Sequence, residues 1–212
     1  SADELARWHS VPVAVAVDLG RPIGQIDPAI RPLLPPGRQK RLFGRAVTAL
    51  CEPPDFGAVP LAIDQLGAGE VLVIAAGGDA KTAMIGEILG GHLRRRGAAG
   101  LICDGAIRDV GMLAQWADVP VFTRSVTPRG PTSAERGAIN APVVFGGVLV
   151  RPGDLLIGDD DGLAVLTPQA VRTCIGEAEG KLAREAEWQR SLLAGASLAA
   201  ALGLPPARAA AP

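Results

Sequence analysis

The sequence predicts an α/β protein built as a single domain. Apolar runs of strand length recur along the chain, segments of helical spacing alternate with them, and no repeat or linker divides the 212 residues. A content of 48% hydrophobic and 20% charged residues is enough to bury one good core. The formal net charge of −1 gives no electrostatic attraction for nucleic acid or an anionic membrane. Only 3% of residues are aromatic and none is Tyr, so base-stacking platforms are not expected either.

The elements follow in order. VPVAVAVDL (11–19) is most simply a buried strand, with a helix left open because the run is Ala-rich. Residues 20–44, dense in Pro, Gly and Arg, predict a long irregular connection. RAVTALC (45–51) returns as a strand. GAVPLAIDQLG (57–67) has helical spacing and a final Gly suited to a C-cap. EVLVIAAGG (70–78) predicts a buried strand opening into a glycine turn, followed by a helix over about 84–95. GLICDG (100–105) is a further strand, a short helix follows Asp109, and PVFTRS (120–125) is a strand. From 142 the pattern is of short strands joined by Gly-Asp turns, with Asp159-Asp160-Asp161-Gly162 read as a turn rather than a second metal site. A helix of about 168–192 ends near Ala194-Gly195, so the domain is expected to span 1–198 with a flexible Ala/Pro-rich tail over 199–212.

Cys51, Cys103 and Cys174 are widely spaced and odd in number, which predicts reduced thiols in a cytoplasmic protein. The first residues show no basic-then-apolar signal pattern, and no apolar run reaches membrane-spanning length.

The most informative chemistry is Glu87, twenty residues, then Arg108-Asp109. The expected layout is a helix start, a loop, a strand and the turn at that strand's end. This brings a carboxylate beside an Arg-Asp pair where α/β folds bind ligands. Carboxylates there can hold a hard divalent cation, and a guanidinium can grip a planar carboxylate or enolate. The helix start also offers unpaired amides to an anion, supplied by Glu87, Ile88 and Leu89, with Gly86 allowing close approach. Structural roles are open to the same residues. Glu87 suits a helix N-terminus without any ligand, and Asp109 suits the N-cap of the short helix.

The stretches IGEILGGHLRRRGAAGLICDGAIRDV, GAINAPVVFGGVLVRPGDLLIGDDDGLAVL and REAEWQRSLLAGASL resemble the class II pyruvate aldolases. That family cleaves 4-hydroxy-4-methyl-2-oxoglutarate and 4-carboxy-4-hydroxy-2-oxoadipate, and it includes the regulators of ribonuclease activity A. The resemblance runs from about residue 44 to residue 198. It implies a sandwich of the swivelling β/β/α type and a Mg²⁺ or Mn²⁺ ion ligated by Asp109. By the same resemblance, Glu87 acts through metal-bound water, Arg108 holds the keto and carboxylate oxygens, and the amides of Ile88 and Leu89 take the pyruvate carboxylate. Glu185 matches an acidic residue that a neighbouring subunit lends to the metal's water shell, which implies a trimer or hexamer. Two positions depart from the family: Met112 stands where many relatives are acidic, and the segment before Asp18 lacks small hydroxylic residues.

The chemistry implied is metal-dependent retro-aldol cleavage to pyruvate, with oxaloacetate decarboxylation through the same enolate. None of Lys40, Lys81 and Lys181 sits in an apolar run that would prepare a Schiff-base amine, and His9 and His92 are read as structural or solvated. The alternative is a non-catalytic regulatory binding protein on the same scaffold.

Overall fold

The computed structural model describes residues 2–205. Its elements, in chain order, begin with α1 (Ala2–Arg7), a 3-10 turn at Trp8–Ser10, and α2 (Val13–Val17). Next come β1 (Gly24–Gln25), β2 (Arg31–Pro32), β3 (Leu42–Leu50), α3 (Ala58–Gln65), β4 (Glu70–Ile85), α4 (Glu87–Arg95) and β5 (Gly100–Ile107). The second half contains α5 (Val110–Leu113), β6 (Val121–Val126), β7 (Ala138–Ile139), β8 (Val143–Phe145), β9 (Val148–Val150), β10 (Leu155–Asp159) and β11 (Gly162–Leu166). It closes with α6 (Pro168–Thr173), α7 (Ile175–Leu193) and α8 (Leu198–Leu202).

Among the described residues these strands form a nine-stranded mixed sheet in the order β1-β11-β10-β3-β4-β5-β6-β2, with β7 paired to β3, and a separate β8-β9 hairpin. Strands β3, β4, β5 and β6 run parallel at its centre. Period-2 alternation divides their side chains between two cores. Leu72, Ile74, Leu101 and Cys103 face the helices α3 and α4, while Val71, Val73 and Ile102 face the β8-β9 hairpin with Val143, Phe145 and Val150. The result is a β/β/α layering, the single α/β domain that the sequence predicts. A third cluster, around the fully buried Trp8, Leu155, Leu166 and Ile175, fixes α2, α6 and α7 against β10 and β11.

Several boundaries differ from the sequence reading, each for a local reason. The run 11–19 is a helix, α2, rather than a strand. The β11 edge it could have joined is already paired with Gly24–Gln25, and the Asp159 carboxylate caps it by accepting the Val13 N–H at 2.8 Å. The irregular connection 20–44 contains two short strands, and β3 starts three residues before the expected 45. Helix α3 ends at Gln65 with Leu66 as its C-cap, so Gly67 does not take that place. Cys174 divides the expected long helix into α6 and α7. The stretch expected to be a tail is helical over Leu198–Leu202, and residues 206–212 lie outside the described residues.

The largest difference is β4. Gly77 and Gly78 take φ of +61° and +80°, and they open a bulge instead of ending the strand. Ala75 pairs with Asp104 and Asp79 with the next residue, Gly105; the register shifts again before Ala83 pairs with Ala106. Residues 76–78 and 80–82 are thereby looped out on either side of the Asp79 pairing, and the strand resumes to deliver Gly86 and Glu87 beside the end of β5. The Asp159–Gly162 segment is the tight β10-β11 turn expected of it.

Candidate active site

The carboxyl ends of β4, β5 and β6 lie side by side, and each leads into a segment that lines one cavity of about 250 Å³. After β4 come Gly86, Ile88 and Leu89; after β5, Arg108 and Asp109; beyond β6, Pro131. Phe56, Ala83, Met84 and Ile85 supply an apolar wall.

The strand ends are tied together directly. The Arg108 amide donates to the Ile85 carbonyl at 3.0 Å, which seats the β5 terminus against the β4 terminus. Asp109 then turns the chain with φ +56° and ψ +34°, a left-handed conformation that Asp tolerates better than most residues. It stands at the N-cap position of α5, yet its side chain makes no cap to that helix. Its Oδ2 accepts instead from the Glu87 amide of α4 at 3.0 Å, and the Arg108 Nε lies 3.5 Å from the same oxygen. Among the described residues Asp109 Oδ1 and the Glu87 carboxylate have no partner. The Arg108 and Asp109 side chains are 41% and 40% exposed, so their ion pair orients more than it stabilises.

This corrects part of the expected anion site. The Glu87 amide is occupied by Asp109, which leaves the Ile88 and Leu89 amides open at the positive end of α4. The Gly77-Gly78 turn lies within β4 rather than at this helix start, where Gly86 takes the adjoining place. Gly86 is required by space rather than by backbone angle, since its φ of −148° is extended. A Cβ there would run into the Asp109 carboxylate and sit 2.9 Å from Arg108 Cγ.

Glu185 is elsewhere. It lies on α7, 3.9 Å from Lys181, which also pairs with Asp18, and α7 contributes nothing to the cavity lining. Met112 follows on α5 and is partly exposed. Among the described residues no group of three or more His, Cys, Asp and Glu side chains is arranged to hold a metal ion. The donors present at the cavity, an Asp109 carboxylate oxygen and the nearby Glu87, suit a hard cation that keeps most of its water shell, as Mg²⁺ does with one or two carboxylates. They do not suit a closed site of several protein ligands such as structural zinc takes.

Sequence reasoning missed Phe56, Gly130 and Pro131. Gly130 matters because Arg108 Nη1 lies so close that a Cβ would overlap it. The loop carrying these residues is held by Asp55, a fully buried carboxylate. It accepts from the amides of Gly57 at 2.9 Å, Glu135 at 2.9 Å and Arg136 at 3.1 Å, and from Ser133 Oγ. Burial alone would raise the Asp55 carboxyl, but these four donors outweigh it and hold the group well below the usual carboxylate range. An isolated "PPDFG" segment shows none of this. Asp55 becomes informative only once β6 is known to lie next to β5.

Fold and site together define an α/β protein with an Arg-Asp pair and open helix amides converging at parallel strand ends. Residues 14–165 match the RraA-like family (Aldolase/RraA), and the chain belongs to that family. A Halalkalibacterium halodurans protein provisionally named 4-hydroxy-4-methyl-2-oxoglutarate aldolase is 30% identical over 190 residues, covering 90% of this chain and 89% of that one. An uncharacterised protein of Pseudomonas syringae pv. tomato superposes with a TM-score of 0.82 at 25% identity, over 96% of this chain and 94% of the other. RraAS2 of Streptomyces coelicolor, described as an unusual member of the RNase ES inhibitor RraA family, gives 0.76 at 27% identity, over 91% and 98%. The names borne by relatives support an aldolase-type reading. No helix among the described residues is long and apolar enough to cross a membrane.

Proposed function

We propose that the protein is a divalent-metal-dependent lyase that cleaves 4-hydroxy-2-oxo acids of the 4-hydroxy-4-methyl-2-oxoglutarate type to pyruvate. Oxaloacetate decarboxylation would accompany it through the same enolate. The observation that carries this reading is the convergence of Arg108, Asp109 and the free Ile88 and Leu89 amides on one cavity with an apolar wall.

Retro-aldol cleavage breaks the C3–C4 bond, turns the C4 hydroxyl into a carbonyl as its proton passes to water, and leaves the electron pair on C3 as the pyruvate enolate, which takes a proton from water to give pyruvate. Arg108 faces the charge that develops, and its planar fork can hold a carboxylate and a keto oxygen together. The Ile88 and Leu89 amides receive the carboxylate end. Phe56, Met84 and Pro131 exclude water from the reacting carbons, which strengthens the guanidinium's effect. Asp109, with Glu87 beside it, would hold Mg²⁺ or Mn²⁺, and Glu185 would reach that ion's water shell only from a neighbouring copy in a trimer or hexamer. When bound, the metal supplies Lewis acidity toward the 2-oxo acid oxygens. Removing a charge partner of this kind costs ~3–4 kcal/mol, or about 100–1000-fold in rate.

The likeness to RraAS2 favours a second reading, a regulatory binding protein without catalysis. Pyruvate release coupled to lactate dehydrogenase separates the two, using 4-hydroxy-4-methyl-2-oxoglutarate and oxaloacetate with Mg²⁺, Mn²⁺ or excess EDTA. Metal-dependent pyruvate is expected from the wild type. Asp109→Ala should abolish it with the oligomer intact by size-exclusion chromatography, and Arg108→Lys should lose most of it. Full activity in Asp109→Ala would sink the lyase assignment. The absence of both pyruvate and metal binding in the wild type would favour the regulatory reading.

A further inference from the structure

β5 is buried along its whole length, and Asp104 is the one charged residue in it. The proposed reaction makes no use of this carboxylate. A charge in a central strand is costly unless it is paired and hydrogen-bonded, and Asp104 is both. Its Oδ1 accepts from Arg124 Nε of β6 at 2.6 Å, and its Oδ2 from the Gly146 amide of the β8-β9 turn at 3.0 Å. Arg124 Nη2 reaches on to Asp27 Oδ2 at 2.8 Å, and the Asp27 amide donates to the Gly146 carbonyl at 2.9 Å. Replacing a buried pair by apolar side chains of like volume is often neutral for stability, so stability alone does not account for it. The best-attested use of such a pair is to fix register.

Register is what this point of the sheet has to settle. As far as Asp104 the neighbours of β5 pair regularly, with Ala75 opposite Asp104 on one side and Thr123 opposite Cys103 on the other. Both then lose register at the next step. Asp79 faces Gly105 after the bulge, and Ser125 faces Ala106, which leaves Asp104 and Gly105 opposite Arg124 alone. Arg124 spans this break. Its Cδ and Nε lie 3.8 Å from the position a Cβ would take on Gly78, the second glycine of the bulge. Beside it, Thr123 Oγ1 donates to the Gly105 carbonyl at 3.2 Å.

The bulge competes with a simpler pairing. If β4 continued in its first register, Ala76, Gly77 and Gly78 would follow Ala75 and face Gly105, Ala106 and Ile107. In the structure Asp79, Ala83 and Ile85 take those places. The bulged register lets the Ile85 carbonyl accept from the Arg108 amide and brings the Glu87 amide to Asp109 Oδ2. It also sets Lys81 and Thr82 across a cavity of about 740 Å³ from Arg129 and Gly130, with the Ala83 amide donating to the Arg129 carbonyl at 2.8 Å. A slip would carry all of this out of place.

We infer that Asp104 and Arg124 are positioning residues for the site: their ion pair pins the bulged register of β4 and so holds Gly86 and the Glu87 amide against Asp109. Neither lines the cavity at Arg108. The effect on pyruvate release rests on the lyase reading, whereas the register itself does not.

The test uses Asp104→Asn, which keeps an acceptor for the Gly146 amide, Arg124→Met, which keeps a stem against Gly78, and the double variant. Arg124→Met, at the less buried end of the pair, suffices for both assays should Asp104→Asn not fold. Glu179→Gln, which breaks only the exposed pair with Arg7, is the control. Amide hydrogen exchange resolved to single residues reads the register directly. In each single variant the Ala83, Glu87 and Arg108 amides should exchange at least about tenfold faster than in the wild type, while those of β10 stay within about twofold. For the folded protein, kcat/KM for pyruvate release should fall about 10–100-fold, and the double variant should be no worse than the poorer single, because both substitutions remove one interaction. Acceleration spread evenly over β10 and the strand ends, unchanged exchange at the three amides, or losses that multiply in the double variant would overturn the register lock and leave the reaction standing. A wild type that releases no pyruvate, with exchange at the three amides still accelerated in the variants, would sink the lyase reading and retain the lock.

Discussion

Replacing Gly86 by Ala tests whether the site depends on the close approach of two strand ends. The backbone there, φ −148° and ψ −159°, is open to alanine, so any effect must come from the added methyl. That methyl would sit 2.9 Å from Arg108 Cγ and closer still to Asp109 Oδ2, against the roughly 3.5–4.0 Å of an ordinary carbon contact. Both neighbours are the groups proposed for chemistry, and the carboxylate cannot yield without losing its partner. Moving the carboxylate breaks the 3.0 Å bond from the Glu87 amide, a charge-assisted interaction worth ~1.5–3 kcal/mol.

Overpacking of this kind costs about 1–3 kcal/mol of stability. A shift of ~1 Å in a positioned group costs about 100-fold in rate. Gly86→Ala should therefore fold with a lowered urea midpoint and an unfolding free energy reduced by ~1–3 kcal/mol, and kcat/KM for pyruvate release should fall at least ~100-fold. Gly111→Ala is the control: it lies on α5 with nothing within 4 Å of the added methyl, so it should be neutral or stabilising by up to ~1 kcal/mol. A Gly86→Ala enzyme with wild-type kcat/KM and an unchanged midpoint would refute the packing argument.

Asp55 and the buried thiols give two more expectations. Because the folded Asp55 carboxyl is held below its unfolded value of ~3.9, its contribution to stability is complete above that pH and is lost as the pH falls through the folded value. Asp55→Asn should accordingly be destabilised at pH 7, and its deficit in urea midpoint should shrink at pH 3; a constant deficit would count against the donors acting on charge. Burial, with Asp55 nearby, pushes the Cys51 thiol up to about 12, and burial pushes Cys103 well above its ordinary value. At pH 8 the Cys51 thiolate fraction falls about three orders of magnitude below that of a free cysteine. Cys51 and Cys103 should thus resist Ellman's reagent until urea unfolds the chain, and rapid labelling of either in the native protein would contradict this.

Sequence alone places the central parallel strands because each carries a continuous apolar run that two faces must bury. It misplaces α2 and β4 because in both cases a distant partner decides. The alternation Val13-Ala14-Val15-Ala16-Val17 fits a strand, but the sheet edge is closed by Gly24–Gln25 and the Asp159 carboxylate waits to cap a helix. Two glycines after an apolar run fit a turn, but the continued pairing of Ala83 with Ala106 and Ile85 with Ile107 converts them into a bulge. The same distinction runs through the site. Glu87, Arg108 and Asp109 are legible because their spacing equals one helix, one loop and one strand, a local fact. Lys81, Arg129 and Gly130 are silent in the sequence because they meet only when β4 bulges and β6 comes to lie on the far side of β5. The local half of the site holds the groups proposed to bind and cleave the 2-oxo acid. The half assembled from distant segments is joined to it by backbone contacts such as the Ala83 amide to the Arg129 carbonyl, which no local stretch of sequence announces.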